Sequence, residues 1–168
     1  MASLLAGVAL GLAACTATVD GAPAPDPAVT ASATGTNASD LLRSLDACTV
    51  LDQLLAGQGF QPGERKTVRN ECVASKSEYG ALAIALDPVQ GLAELQAQEP
   101  RAMSTQVNGR RALQVGSPAD GMCEVGLAVG EHARALVIAS ISRSDVRDQV
   151  CTAAQELAGR LEPLLPKP

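Results

Sequence analysis

Residues 103–141, MSTQVNGRRALQVGSPADGMCEVGLAVGEHARALVIASI, decide the fold. Asn108-Gly109 is the dipeptide that most readily supplies the two positive φ angles of a type I′ turn, so Met103–Val107 and Arg110–Val115 read as a β-hairpin. The next run, Cys123–Val129, sets Cys123, Val125, Leu127 and Val129 on one side and Glu124, Gly126 and Ala128 on the other. That is the two-residue period of a strand. Gly130–Arg134 reads as a turn. Leu136–Ile141 is apolar on both sides, which predicts a central strand rather than an edge.

Toward the C-terminus, Ser144 or Asp145 opens a helix over Asp145–Glu162 that Pro163 stops, with Val146, Val150, Ala154, Leu157 and Leu161 as its buried stripe. Toward the N-terminus, Val50, Leu51, Leu54 and Leu55 recur at helical spacing after Cys48 or Thr49, and Gly57 and Gly59 end that short helix. Chain around Cys72 is extended. After a turn at Ser77–Gly80, Leu82, Ile84 and Leu86 alternate, completing a hairpin. Val89, Leu92, Ala93 and Gln96 suggest a modest helix that ends before Pro100. Helix, strands, helix, more strands and a long helix predict an α+β fold with a mainly antiparallel sheet of five or six strands.

The first segment has a different character. Leu4–Ala14 is an uncharged apolar run, too short to span a bilayer at roughly 20 residues and of the length of a signal-peptide core. It ends in Leu12-Ala13-Ala14-Cys15, which looks like a bacterial lipobox, so residues 1–14 are expected to be a signal peptide and Cys15 the lipid-attachment residue. Met1-Ala2-Ser3 carries no Lys or Arg, which suggests a start codon further upstream. Residues 15–40, with Pro23, Pro25 and Pro27 among Thr, Ala and Gly, lack periodicity and read as a disordered tether. A single domain is expected over 41–168.

Composition narrows the function. The 168 residues carry a net charge of −5 and only one Phe, one Tyr and no Trp, so a phosphate-binding basic surface and a base-stacking platform are both missing. Nucleic acid is therefore not expected as a partner. His132 is the one imidazole, and beside Glu131 it reads as a solvated turn residue. Gly57-Gln58-Gly59 is a helix stop rather than a phosphate loop, because it follows a helix and lacks the remaining glycine and Lys. Asp145 and Asp148 are placed in the first turn of the last helix, where negative charge suits the dipole. Arg110-Arg111 could face anionic lipid or wall polymer.

Cys48, Cys72, Cys123 and Cys151 remain after Cys15, an even number behind an export signal, and point to two disulfides. Four cysteines allow three pairings. Sequence order favours Cys48 with Cys72 and Cys123 with Cys151, since each pair brackets a helix and a neighbouring strand. A zinc site would call for close pairs such as C-x2-C, and free buried thiols are the other reading.

Together these features resemble the DUF3558 family of actinobacterial lipoproteins. The resemblance rests on the lipobox at Cys15, the Pro/Thr/Ala tether, Asp46-Ala47-Cys48-Thr49-Val50-Leu51, a second Cys in the following strand, Val107-Asn108-Gly109 with Ala112, the Cys-x-Val-x-Leu-x-Val strand, and Cys151-x-x-Ala154 before Leu164-Leu165-Pro166. Ala74 stands where that family commonly has an aromatic. The resemblance implies a location and an architecture, with no reaction attached.

The expected function is a non-enzymatic binding or interaction module, lipid-anchored at the extracytoplasmic face of the cell membrane. Its partners would be the membrane, through the anchor, and an envelope or secretion-system protein. No catalytic residue, cofactor or metal is expected. The alternative is an envelope enzyme with an unfamiliar site.

Overall fold

Six antiparallel strands share one sheet in the computed structural model, which describes residues 37–67 and 69–167. The elements are α1 (Ala38–Ser44), α2 (Ala47–Leu55), β1 (Glu71–Lys76), β2 (Gly80–Asp87), α3 (Leu92–Gln98), β3 (Met103–Val107), β4 (Arg110–Ser117), β5 (Met122–Gly130), β6 (Ala133–Ile141) and α4 (Val150–Leu161). Their spatial order is β1-β2-β6-β5-β4-β3, so the α+β class holds and β6 is central. Asn108 and Gly109 close the β3–β4 hairpin at φ of 51° and 85°, the left-handed region that a glycine without Cβ and an asparagine both adopt readily.

One sheet face carries the core. Cys123, Val125, Leu127 and Val129 of β5 and Ala133, Ala135, Val137 and Ala139 of β6 are completely buried there, and α4 lies against both strands with Val150, Ala154, Leu157, Ala158 and Leu161. Small alanines on β6 let the helix approach closely, which is how a core with almost no aromatic volume still packs. Leu157→Ala in such a core costs about 2 to 5 kcal/mol. The two disulfides fasten the helices to this face. Cys48–Cys72 ties α2 to β1 and Cys123–Cys151 ties β5 to α4, each with Cα atoms 5.0 Å apart.

Several boundaries differ from the sequence reading. Helix α1 begins at Ala38, inside the stretch read as tether, because Asn37 Oδ1 accepts the Asp40 N–H at 2.9 Å and Leu42 is fully buried. The cap of α2 is Asp46, whose carboxylate accepts the Thr49 N–H at 2.8 Å, so the helix starts ahead of Thr49 and Cys48. Asn70 then clasps the joint between these helices, accepting from Ala47 N at 2.9 Å and donating to Leu45 O at 2.7 Å.

The turn expected over Gly130–Arg134 shrinks to Glu131-His132, and Arg134 belongs to β6. The last helix is reached through a 3-10 turn at Arg147–Gln149 and runs out through another at Glu162–Leu164. Asp145 therefore lies ahead of the helix, where its carboxylate is held by Arg143, and Asp148 lies in the 3-10 turn. Pro163 sits near the start of the closing 3-10 turn, where its missing N–H is tolerated.

Candidate functional site

The sheet face turned away from α4 is only partly covered. Helix α3 crosses it at Gly126, where a Cβ atom would stand 2.5 Å from Leu95 Cδ2. Glycine is thus required for the close approach of α3. Among the described residues, two clefts open on this face. One, of about 210 Å3, lies by the C-terminal end of α3 and is lined by Leu95, Gln98, Glu99, Met122 and Glu124, among others. The other, of about 500 Å3, lies by Pro88–Gln90, with Ala85, Leu136 and Ile138 as an apolar floor and Arg69 and Glu71 at its rim. Arg134 and Leu136 line both.

Arg134 is the chemical centre of this arrangement. Its residue is 4% exposed, yet its guanidinium brings five N–H donors and no acceptor into the interior. One terminal nitrogen donates to Gly91 O at 3.2 Å, and the other to Gln90 Oε1 at 2.9 Å and Gln98 Oε1 at 3.4 Å. The Asp87 carboxylate, opposite Arg134 in the β2–β6 register, is 3.8 Å away. Asp87 also accepts from Val89 N and Gln90 N at 3.0 and 3.1 Å, which shapes the corner at the mouth of the larger cleft. The Nε–H of Arg134 has no acceptor, alone among the buried side-chain polar atoms of the described residues. An orphan donor of this kind costs about 1 to 3 kcal/mol, more when charged, and an acceptor oxygen removes the cost.

Glu124 faces the same side from β5. Burial pushes its carboxyl above the usual range, opposed by the Arg134 charge and reinforced by Glu99. His132 stands apart, exposed at the β5–β6 turn, with Nδ1 2.8 Å from Glu94 Oε1. That contact raises the His132 pKa and lowers that of Glu94.

The other sequence candidates are dispersed. Cys15 lies outside the described residues. Cys48, Cys72, Cys123 and Cys151 are staples on the opposite face. Gly57 and Gly59 follow α2 at φ of 75° and 79°, a helix stop. Arg110 is 7% exposed, and its guanidinium binds Glu162 and the carbonyls of Ala128 and Pro166, so it offers nothing to an anionic polymer. Arg134 itself escaped sequence reasoning. Its available signal was the alternation Arg134, Leu136, Ile138, which sets a lone charge on the second face of an apolar strand.

An apolar cleft with a few converging polar groups is the form that small-molecule sites take. No protein-family model, curated protein or solved structure matches the chain.

Proposed function

We propose that the chain is a lipid-anchored, extracytoplasmic binding module of a bacterial cell envelope, in keeping with its resemblance to the DUF3558 lipoproteins. Its ligand is a small molecule with an apolar body and an acceptor oxygen, seated in the larger cleft. One observation carries the reading: a buried guanidinium, whose Nε–H has no acceptor within the protein, belongs to a residue lining a cleft of about 500 Å3 whose other walls include Ala85, Leu136 and Ile138. The site binds rather than reacts in this reading, because Arg134 is a fixed donor and the chain's one imidazole is engaged by Glu94 outside the clefts.

The alternative of an envelope enzyme draws on Glu124, whose raised pKa is the property of a general acid. Native mass spectrometry of the protein extracted from its membrane tests both readings. Wild type is expected to retain a small bound mass that Ala85→Trp, which fills the cleft, excludes. Wild type free of any bound mass, with no thermal stabilisation by a panel of amphiphiles, would sink the binding reading, while a panel member returned chemically altered only when Glu124 is intact would favour the enzyme.

The location has its own test. Cys15→Ser is expected to abolish labelling by a fatty-acid analogue and to move the protein to the soluble exported fraction.

A further inference from the structure

The two edges of the sheet are managed differently. The outer edge of β1 is closed by the chain before it: Gln61 N donates to Ser75 O at 2.8 Å, and Glu64 and Val73 exchange both backbone hydrogen bonds at 2.9 and 3.0 Å. The outer edge of β3 meets no backbone among the described residues. Its sequence, Met103-Ser104-Thr105-Gln106-Val107, holds no charge, no proline and no bulge, the devices that normally keep an exposed edge from pairing. The strand is also rigidly presented, since Asn108 Nδ2 at the hairpin turn donates to Gly159 O of α4 at 2.9 Å.

The register determines which groups face outward. In a two-residue hairpin the residues flanking the turn exchange both ladder bonds, so Val107, Thr105 and Met103 are committed to Arg110, Ala112 and Gln114. Ser104 and Gln106 therefore direct their N–H and C=O groups away from the sheet. These two are symmetric about Thr105. A strand with this spacing is complementary to itself: an antiparallel copy related by a two-fold axis at Thr105 pairs Ser104 with Gln106 of the partner subunit, and Gln106 with Ser104 of the partner subunit. The side chains agree with that register. Thr105 meets Thr105 of the partner subunit, a favourable cross-strand pair. Met103, 57% exposed, gains Val107 of the partner subunit as an apolar neighbour on the same face.

We infer that β3 is a dimerisation edge, through which two copies of this chain join their sheets into one continuous antiparallel sheet. The assignment is independent of the Arg134 cleft, which lies beyond β4 and β5 from this edge.

Cross-linking and sedimentation of the full chain decide it. At a non-hydrogen-bonded antiparallel position the Cα atoms are about 4.5 Å apart, within the disulfide range of about 4.4 to 6.8 Å. Thr105→Cys should form a disulfide-linked dimer in the native membrane, whereas Ala97→Cys on α3 should not. Gln106→Pro removes one outward N–H per subunit without touching the β4 ladder, and should weaken dimerisation in sedimentation by about tenfold or more. A wild-type chain that stays monomeric at high concentration overturns the inference, as would happen if residues 1–36 covered the edge. A dimer unaffected by Gln106→Pro, or a Thr105→Cys chain that links instead to a different envelope protein, overturns it equally.

Discussion

Arg110 Nε lies 2.9 Å from Glu162 Oε1, joining the first residue of β4 to the end of α4 across 52 positions of sequence. The Arg110 side chain is 4% exposed and that of Glu162 18%. The same guanidinium donates to Ala128 O at 2.8 Å and Pro166 O at 2.9 Å, so one side chain fixes the sheet, the helix end and the C-terminal segment together. Removing one partner of a buried pair leaves an uncompensated charge, which is worse than never having had the pair. Glu162→Gln is expected to lower unfolding free energy by about 3 kcal/mol. Urea denaturation of the two proteins measures this, and equal midpoints would refute it.

His132 and Glu94 form an exposed pair whose pKa values move apart. The Glu94 hydrogen bond raises His132 above its ordinary 6.5, and the same bond lowers Glu94 below its ordinary 4.5. The His132 share of stability is present in full below pH about 6.5 and is lost as pH rises through the raised value. The Glu94 share is present above pH about 4.5 and is lost as pH falls through the lowered value. Proton NMR titration should place the His132 midpoint above 6.5 in wild type and return it toward 6.5 in Glu94→Gln. An unchanged midpoint would show that the contact does not form in solution.

Gly126 predicts how α3 is held. A methyl group there meets Leu95 Cδ2 at 2.5 Å and Leu92 Cδ2 at 3.3 Å, so Gly126→Ala must lift the helix or distort both leucine rotamers. Overpacking of this kind costs about 1 to 3 kcal/mol. The cost should be local, because Leu92 and Leu95 sit on the opposite face from the α4 core. Amide hydrogen exchange is expected to accelerate across Leu92–Gln98 and stay unchanged in α4. Uniform acceleration through both helices would mean that α3 is integral to the global fold.

What the sequence disclosed and what it hid divide along the range of the interactions. The β3–β4 turn depends on Asn108 and Gly109 alone, and the β5 strand on alternation within seven residues, so both were legible. Helix α1 has only seven residues and follows a Thr/Ser-rich run; what holds it is the burial of Leu42 beneath the fold, which no local pattern encodes. The sole Phe and Tyr, Phe60 and Tyr79, meet edge to face at a centroid distance of 5.8 Å with Lys76 Nζ 5.6 Å from the Phe60 ring, an encounter set by the β1–β2 turn. Arg134 is the instructive case. A charge two residues beyond His132 reads as turn because an unpaired charge is costly in a strand. Its partners Gln90 and Gly91 lie more than 40 residues earlier, and only the fold brings them together.

Glu124 supplies a pH signature on the cleft face. Its carboxyl is raised above 4.5 chiefly by burial, so between pH about 4.5 and the raised value the native state binds more protons than the unfolded chain. Stability therefore falls as pH rises through that window, opposite in sign to the contribution of Glu94. Glu124→Gln should flatten this descent while leaving the acid limb, where Glu94 and the paired Asp46 and Asp145 protonate, in place. Denaturation midpoints at pH 4 to 7 test the slope; identical profiles would mean that Glu124 is solvated and that the smaller cleft is open to water.

The disulfides give the last prediction, because they set how the two ends of the chain hold the sheet. Cys48–Cys72 closes a loop with a sequence separation of 24 and Cys123–Cys151 one of 28. Loops of this size restrict the unfolded chain by similar amounts, so losing either bridge should cost about 2 to 5 kcal/mol out of a typical total of about 5 to 15. Their local consequences should differ. Cys123–Cys151 joins the central strand β5 to α4, whereas Cys48–Cys72 secures α2 to the outermost strand β1. The double replacement Cys123→Ala with Cys151→Ala is expected to lower the thermal midpoint cooperatively, and Cys48→Ala with Cys72→Ala to free α1 and α2 to exchange amides while β4–β6 stay protected. Peptide mapping without reduction should recover Cys48 joined to Cys72 and Cys123 joined to Cys151. A fragment joining Cys48 to Cys151 would place α2 against α4 at their N-terminal ends and refute the strand order, and four alkylatable thiols in protein isolated without reductant would remove the staples altogether.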